Sequence, residues 1–145
     1  MAGREYPDRP LLGAGAVIVS GNEVVLVRRA HPPRLGEWSI PGGLVELGET
    51  LRQAAEREAL EETNLMVEAG EVLEVFESIT PDAQGKINFH YVVVDFLCRL
   101  KSGELRAGAD ASEAQWASRS KLTELNLSET TLRVLHKAFE RIAKL

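Results

Sequence analysis

Apolar, β-rich runs from Leu12 to Ser20 and from Glu23 to Arg29 are separated by Gly21-Asn22, the composition of a tight hairpin turn. The pattern predicts two strands. A Pro/Gly loop, Ala30 to Glu37, follows, and Trp38 to Leu47 predicts short strand pieces. The periodicity then changes. Thr50 with Gln53 three residues later is a capping-box signature, which places a helix N-terminus near Thr50. Leu51 to Thr63 contains no Gly or Pro and no β-branched residue before its last position, and it is dense in strong helix formers. Glu71 to Thr80 and Ile87 to Leu100 read as two long strands joined by a turn over Pro81 to Lys86. Beyond a polar loop, Lys101 to Ser112, the pattern predicts a short strand over Glu113 to Ser118. A second, amphipathic helix follows over Ser128 to Leu145, with Leu132, Leu135, Phe139 and Ile142 on one face. No repeat or linker interrupts the chain, so one α+β domain over residues 1–145 is expected.

The first helix carries the chemistry. At about 100° per residue, Glu58, Glu61 and Glu62 fall within an arc of roughly 100° that also holds Leu51, Ala54 and Ala55, so the carboxylates are expected on the inward side. Like charges at these spacings repel, and burial disfavours their ionised form unless positive charge is brought to them. Mg²⁺ and Mn²⁺ answer that need, because hard cations take oxygen ligands and keep coordination positions for water and phosphate.

Six residues in the segment GLVELGETLRQAAEREALEETNL stand at fixed spacing: Gly43, Glu49, Arg57, Glu58, Glu61 and Glu62. At residue frequencies near 7%, such a pattern arises at on the order of one start point in 10⁷. It resembles the signature of the Nudix hydrolases, which cleave a nucleoside diphosphate linked to another moiety, and Trp38 to Gly43 is similar to that family's lead-in. Asn64 stands where the family usually has Gly, and Asn is the next best residue for a left-handed helix end. Ala59 replaces a larger aliphatic without touching the chemistry.

The resemblance implies an α/β/α sandwich with a central mixed β-sheet. It implies Glu58, Glu61 and Glu62 as metal ligands, Gly43 as a backbone carbonyl near the metals, and Mg²⁺ or Mn²⁺ as cofactor. Arg57 points away from the three glutamates on the helical wheel. Its expected role is to pair with Glu49 and hold the junction between loop and helix; a solvated surface pair is the alternative. A further carboxylate should take the proton of the attacking water. Glu104, Asp110 and Glu113 are the candidates, and Glu113 is the choice. Pro81, sixteen residues after Leu65, resembles the mark of the ADP-ribose pyrophosphatase branch, although Pro-Asp is also ordinary turn chemistry. Arg28 or Arg29 could clamp a phosphate, but strand neighbours face opposite sides, so only one can enter the cleft. Trp38 could stack on a base or serve as packing.

Composition narrows the partners. With 17 Lys and Arg against 22 Asp and Glu the net charge is −5, which disfavours nucleic acid as the main ligand and leaves a small phosphorylated ligand bridged by metal. The single cysteine, Cys98, lies in an apolar run and is expected to be a buried thiol in a reducing compartment. No apolar run approaches the roughly 18 residues of a membrane span, so a cytoplasmic protein is expected. The favoured reading is hydrolysis of ADP-ribose to AMP and ribose 5-phosphate. The alternatives are a pyrophosphohydrolase of (d)NTPs or oxidised nucleotides and a non-catalytic nucleotide sensor. A homodimer is common among relatives of this length.

Overall fold

The first apolar run forms strand β1 (Leu11–Ser20) of a computed structural model that describes residues 4–31, 34–108 and 111–144. The chain continues through β2 (Glu23–Arg29), β3 (Trp38–Ser39), β4 (Gly42–Leu44), helix α1 (Leu51–Thr63), β5 (Met66–Pro81), β6 (Ile87–Ser102), β7 (Ala111–Ser118), a 3₁₀ turn (Arg119–Glu124) and helix α2 (Glu129–Ala143). The strands form one mixed sheet in the order β3-β2-β1-β6-β5, with β4 on β1 and β7 along β2. β1 and β6 run parallel from the pair Leu11 and Tyr91 to the pair Val19 and Arg99, and the other described pairings are antiparallel.

Both faces of the sheet are covered, which is why β1 reads as a continuous apolar run. Ala14, Ala16 and Ile18 face α1 with Val25, Val94, Phe96 and Cys98. Val17, Val24, Leu26 and Leu73 face α2. The result is the sandwich of a mixed sheet between helices. Ala54, Ala55 and Ala59 of α1 are fully buried opposite Ala14 and Ala16, so small residues on both sides let the helix approach the sheet closely. The helix begins in the capping box of Thr50 and Gln53 and ends with Asn64 in the left-handed conformation at φ 65°. Cys98 is buried, and desolvation pushes its thiol up to about 12.

Several boundaries differ from the pattern reading. β5 begins at Met66 rather than Glu71, because Gly70 and a shift of register between Ala69 and Val72 bend a strand that nonetheless continues along β6. β6 runs on to Ser102, β7 begins at Ala111, and the 3₁₀ turn was not expected. α2 ends at Ala143, Leu145 lies outside the described residues, and the helix buries Val134 and Ala138 together with Leu135 and Phe139, while Leu132 and Ile142 are only half-buried.

Charge fixes α2 to β5. Glu74 accepts from Arg133 Nε at 3.1 Å and Lys137 Nζ at 3.0 Å, and Arg141 pairs with Glu71. Burial pushes the Glu74 carboxyl up, but the bonds from Arg133 and Lys137 outweigh it and hold the group below its ordinary range. A depressed carboxyl contributes stability above its unfolded pKa and loses it as the pH falls. Glu74→Gln should therefore lower unfolding free energy by about 1 kcal/mol at pH 7. The difference should shrink as the pH drops below 4.5, measured by denaturant melts at both pH values.

Candidate active site

β4 pairs with the N-terminal half of β1, setting Gly42 against Gly15 and Gly43 against Ala14. A Cβ on Gly42 would stand 2.6 Å from the carbonyl oxygen of Ala14 and 2.9 Å from Cα of Gly15, backbone that cannot give way. A Cβ on Gly43 would stand 2.4 Å from Glu58 Oε2, so the carboxylate of Glu58 rests against bare strand. The Gly42 N–H donates to Glu62 Oε2 at 3.1 Å. The strand thereby touches two of the three glutamates.

The three are not equally inward, as the wheel suggested. Glu58 is buried, Glu62 half-buried and Glu61 exposed.

Arg57 binds the group together. Its Nε donates to Glu49 Oε2 at 2.6 Å and its Nη2 to Glu49 Oε1 at 3.0 Å, a bidentate pair, while Nη2 also donates to the Leu44 carbonyl at 3.0 Å. The wheel placed Arg57 away from the glutamates, and here the structure corrects it. The long side chain folds back so that Nη1 donates to both Glu58 Oε2 and Glu61 Oε2 at 3.2 Å. Glu49 also accepts from the Glu46 N–H at 3.0 Å, and the bonds from Arg57, then that amide, hold its carboxyl below the ordinary range. The bond to Glu49 raises the Arg57 pKa and keeps the guanidinium charged.

The polar loop after β6 closes the C-terminus of α1. Gly108 N–H donates to the Glu62 carbonyl at 2.8 Å, Arg106 N–H to Thr63 at 2.9 Å, and Asn64 Nδ2 to Glu104 at 2.9 Å. These bonds satisfy carbonyls that a helix end leaves open. A side chain on Gly108 would stand 1.8 Å from the Glu61 carbonyl oxygen, so only glycine permits this closure.

Beside the glycines lies a cleft of about 180 Å³, lined among others by Arg29, Arg34, Phe76, Tyr91, Asp95 and Gly43. One water needs roughly 10–15 Å³ on such a measure, so the cleft admits a ligand group. Of the two arginines at the end of β2, Arg29 reaches it; burial lowers its pKa and the charge of Glu62 opposes that effect. Arg28 instead donates to Glu113 Oε1 at 2.9 Å across β2 and β7. Among the described residues no hydrogen bond or ion pair joins Glu113 to the α1 glutamates. Glu104 contributes a carbonyl to the helix closure, and Asp110 lies outside the described residues. Trp38 packs against the core beneath α2, and Pro81 is exposed at the far end of β5; neither lines the cleft.

Pattern reading did not single out Gly108, Arg34 or Asp95. Asp95 had a visible signal, a lone acid within the apolar run VVVDFLC. Burial, then the neighbouring charge of Glu74, pushes its carboxyl up to about 7.

Among the described residues, no three acidic, histidine or cysteine side chains converge to hold an ion as they stand. A cation already lies between two of them, the Arg57 guanidinium that bridges Glu58 and Glu61. Carboxylate oxygens are the donors a hard divalent ion takes, so the glutamates fit Mg²⁺ or Mn²⁺ in kind. No helix among the described residues is long and apolar enough to cross a membrane.

A NUDIX domain profile matches residues 9–138. An ADP-ribose pyrophosphatase of Methanocaldococcus jannaschii is 34% identical over 116 residues, 80% of this chain; the match spans 66% of that relative's length. The crystal structure of a MutT NUDIX hydrolase from Burkholderia pseudomallei superimposes with a TM-score of 0.75 at 29% identity, covering 90% of this chain and 98% of that one. The NUDIX domain of Shewanella oneidensis NrtR, complexed with ADP ribose, gives a TM-score of 0.73 at 25% identity over 93% of this chain and 90% of its own.

The contact of Gly43 with Glu58 yields a test that separates site from fold. Gly43→Ala displaces only the end of a flexible side chain, so the melting temperature without metal should change by less than about 4 °C, the size of a loss below 1 kcal/mol. Millimolar Mg²⁺ or Mn²⁺ should raise the melting temperature of the wild type by binding linkage and should raise that of the variant much less. Thermal melts with ionic-strength controls read both.

Proposed function

Because this chain belongs to the Nudix hydrolase family, we propose that it is a metal-dependent pyrophosphatase of nucleoside diphosphate derivatives, with ADP-ribose, cleaved to AMP and ribose 5-phosphate, as the favoured substrate. One juxtaposition carries the proposal: the α1 carboxylates meet the β4 glycines at the edge of the cleft that Arg29 and Arg34 line. The archaeal ADP-ribose pyrophosphatase and the ADP ribose complex support the choice of substrate.

Hydrolysis of a pyrophosphate requires its oxygens to be neutralised and a water to be made nucleophilic. Mg²⁺ or Mn²⁺ held by Glu58, Glu61 and Glu62, with the Gly43 carbonyl, supplies both. The chain's own residues do the rest. Arg29 offers its guanidinium to a phosphate from the cleft wall, where partial burial strengthens the pairing. Arg57 acts at one remove, because its bonds to Glu49 and Leu44 fix the loop and its Nη1 orients Glu58 and Glu61. Of Glu104, Asp110 and Glu113, our choice to accept the water's proton is Glu113. Its tie to Arg28 means that it serves only after leaving that partner.

Two measurements test the proposal. In a product screen of ADP-ribose, NADH, dinucleoside polyphosphates and dNTPs, ADP-ribose should give the highest kcat/KM and release AMP. Pyrophosphate release from dNTPs at a higher kcat/KM would move the chain to the triphosphate reading. Glu62→Gln removes a charge and little volume, and kcat should fall at least about 10²-fold. Near wild-type turnover in saturating Mg²⁺ would refute the ligand assignment.

A further inference from the structure

Asp95 is a buried acid in the cleft with no role in hydrolysis of the pyrophosphate. It interrupts the apolar run of β6, is 2% exposed and lines the cleft. Among the described residues no hydrogen bond or ion pair holds its carboxyl. Its position is built rather than incidental. A Cβ on Gly15 would stand 2.2 Å from Asp95 Oδ1 and 2.9 Å from Ile40 Cδ1, so the carboxyl lies on bare β1 backbone beside an apolar side chain. Burying a polar group without a partner costs stability, and a cleft-lining group without one is placed to take its partner from a ligand.

The lining says what that ligand part is. Phe76, Tyr91, Ile40 and Val134 give the cleft apolar surfaces suited to a flat ring. A phosphate finds its counter-charge at Arg29 and Arg34 on the cleft wall. Glu74 stands opposite Asp95 in the register of β5 and β6, engaged by Arg133 and Lys137, and no cation is bonded to Asp95 among the described residues. With its carboxyl pushed up to about 7, Asp95 populates both protonation states near neutral pH, and each keeps an oxygen that can accept a hydrogen bond.

We propose that Asp95 determines base specificity by accepting a hydrogen bond from the exocyclic amino group of a nucleobase seated in the cleft, as adenine presents it. The inference rests on the pyrophosphatase reading for its phosphate end and deepens it at the base.

The test measures binding without turnover. Calorimetry compares AMP with purine riboside 5′-monophosphate, which lacks only the amino group, on the wild type, Asp95→Asn and Asp95→Leu. The wild type should bind AMP about ten-fold or more tightly than the analogue, the discrimination expected when a site is built to hydrogen-bond the missing group. Asp95→Asn keeps an accepting oxygen and should keep the preference. Asp95→Leu should bring the two ligands to within about two-fold of one another. The wild-type comparison needs no folded variant, so an unstable Asp95→Leu leaves the proposal falsifiable. Equal binding of the two ligands by the wild type overturns the proposal, as does an undiminished preference in Asp95→Leu. If ribose 5-phosphate, titrated alongside, loses as much affinity as AMP in that variant, the proposal is also overturned, because the cleft would then hold the sugar. Failure to hydrolyse ADP-ribose, with the AMP preference intact, would count against the pyrophosphatase reading and leave the base contact standing.

Discussion

A helix that brings glutamates against a strand needs positive charge among them, and Arg57 supplies it. The guanidinium serves Glu49, Glu58, Glu61 and the Leu44 carbonyl at once. Without it, the partly buried carboxylates of Glu49 and Glu58 would lose the cation they share, with the charge of the exposed Glu61 nearby. The loop before α1, the strand β4 and the helix are tied through this one side chain. A bidentate, partly buried pair of this kind is worth more than an exposed one, since it is less screened and geometrically fixed.

The remainder of the fold sets up that contact. Buried alanines on α1 and β1 let helix and sheet approach, the glycines of β4 leave room for Glu58, and the loop containing Gly108 closes the helix end that carries Glu61 and Glu62. On the other face, α2 is fixed to β5 by Glu74 and Glu71, and Thr130, Thr131 and Val134 near its start line the cleft. The two helices thus do different work, one carrying carboxylates and the other walling the space beside them.

Much of this was legible in the chain. The capping box and Asn64 mark the ends of α1 because caps are local chemistry, read within three or four residues. The hairpin at Gly21-Asn22 is local in the same way. What escaped depends on distance. The pattern starts the strand at Glu71, and only the partner strand β6 shows that pairing begins at Met66 and continues past Gly70 through a bulge. The wheel gave Arg57 a direction from its Cα, whereas a side chain of that length is aimed by its partners. Arg28 and Arg29 could not be told apart until β7 placed Glu113 opposite Arg28. Gly108 matters through a contact with Glu61, some forty-seven positions earlier, and no local signal encodes it.

The central claim is that the carboxylates gathered by Arg57 on α1 hold the divalent ion. Anomalous scattering from crystals soaked in Mn²⁺ tests it directly. The account predicts a manganese peak within about 2.5 Å of carboxylate oxygens of Glu58, Glu61 or Glu62, with Arg57 still bonded to Glu49. A peak coordinated elsewhere, with those carboxylates left on Arg57 and the Gly42 amide, would contradict it.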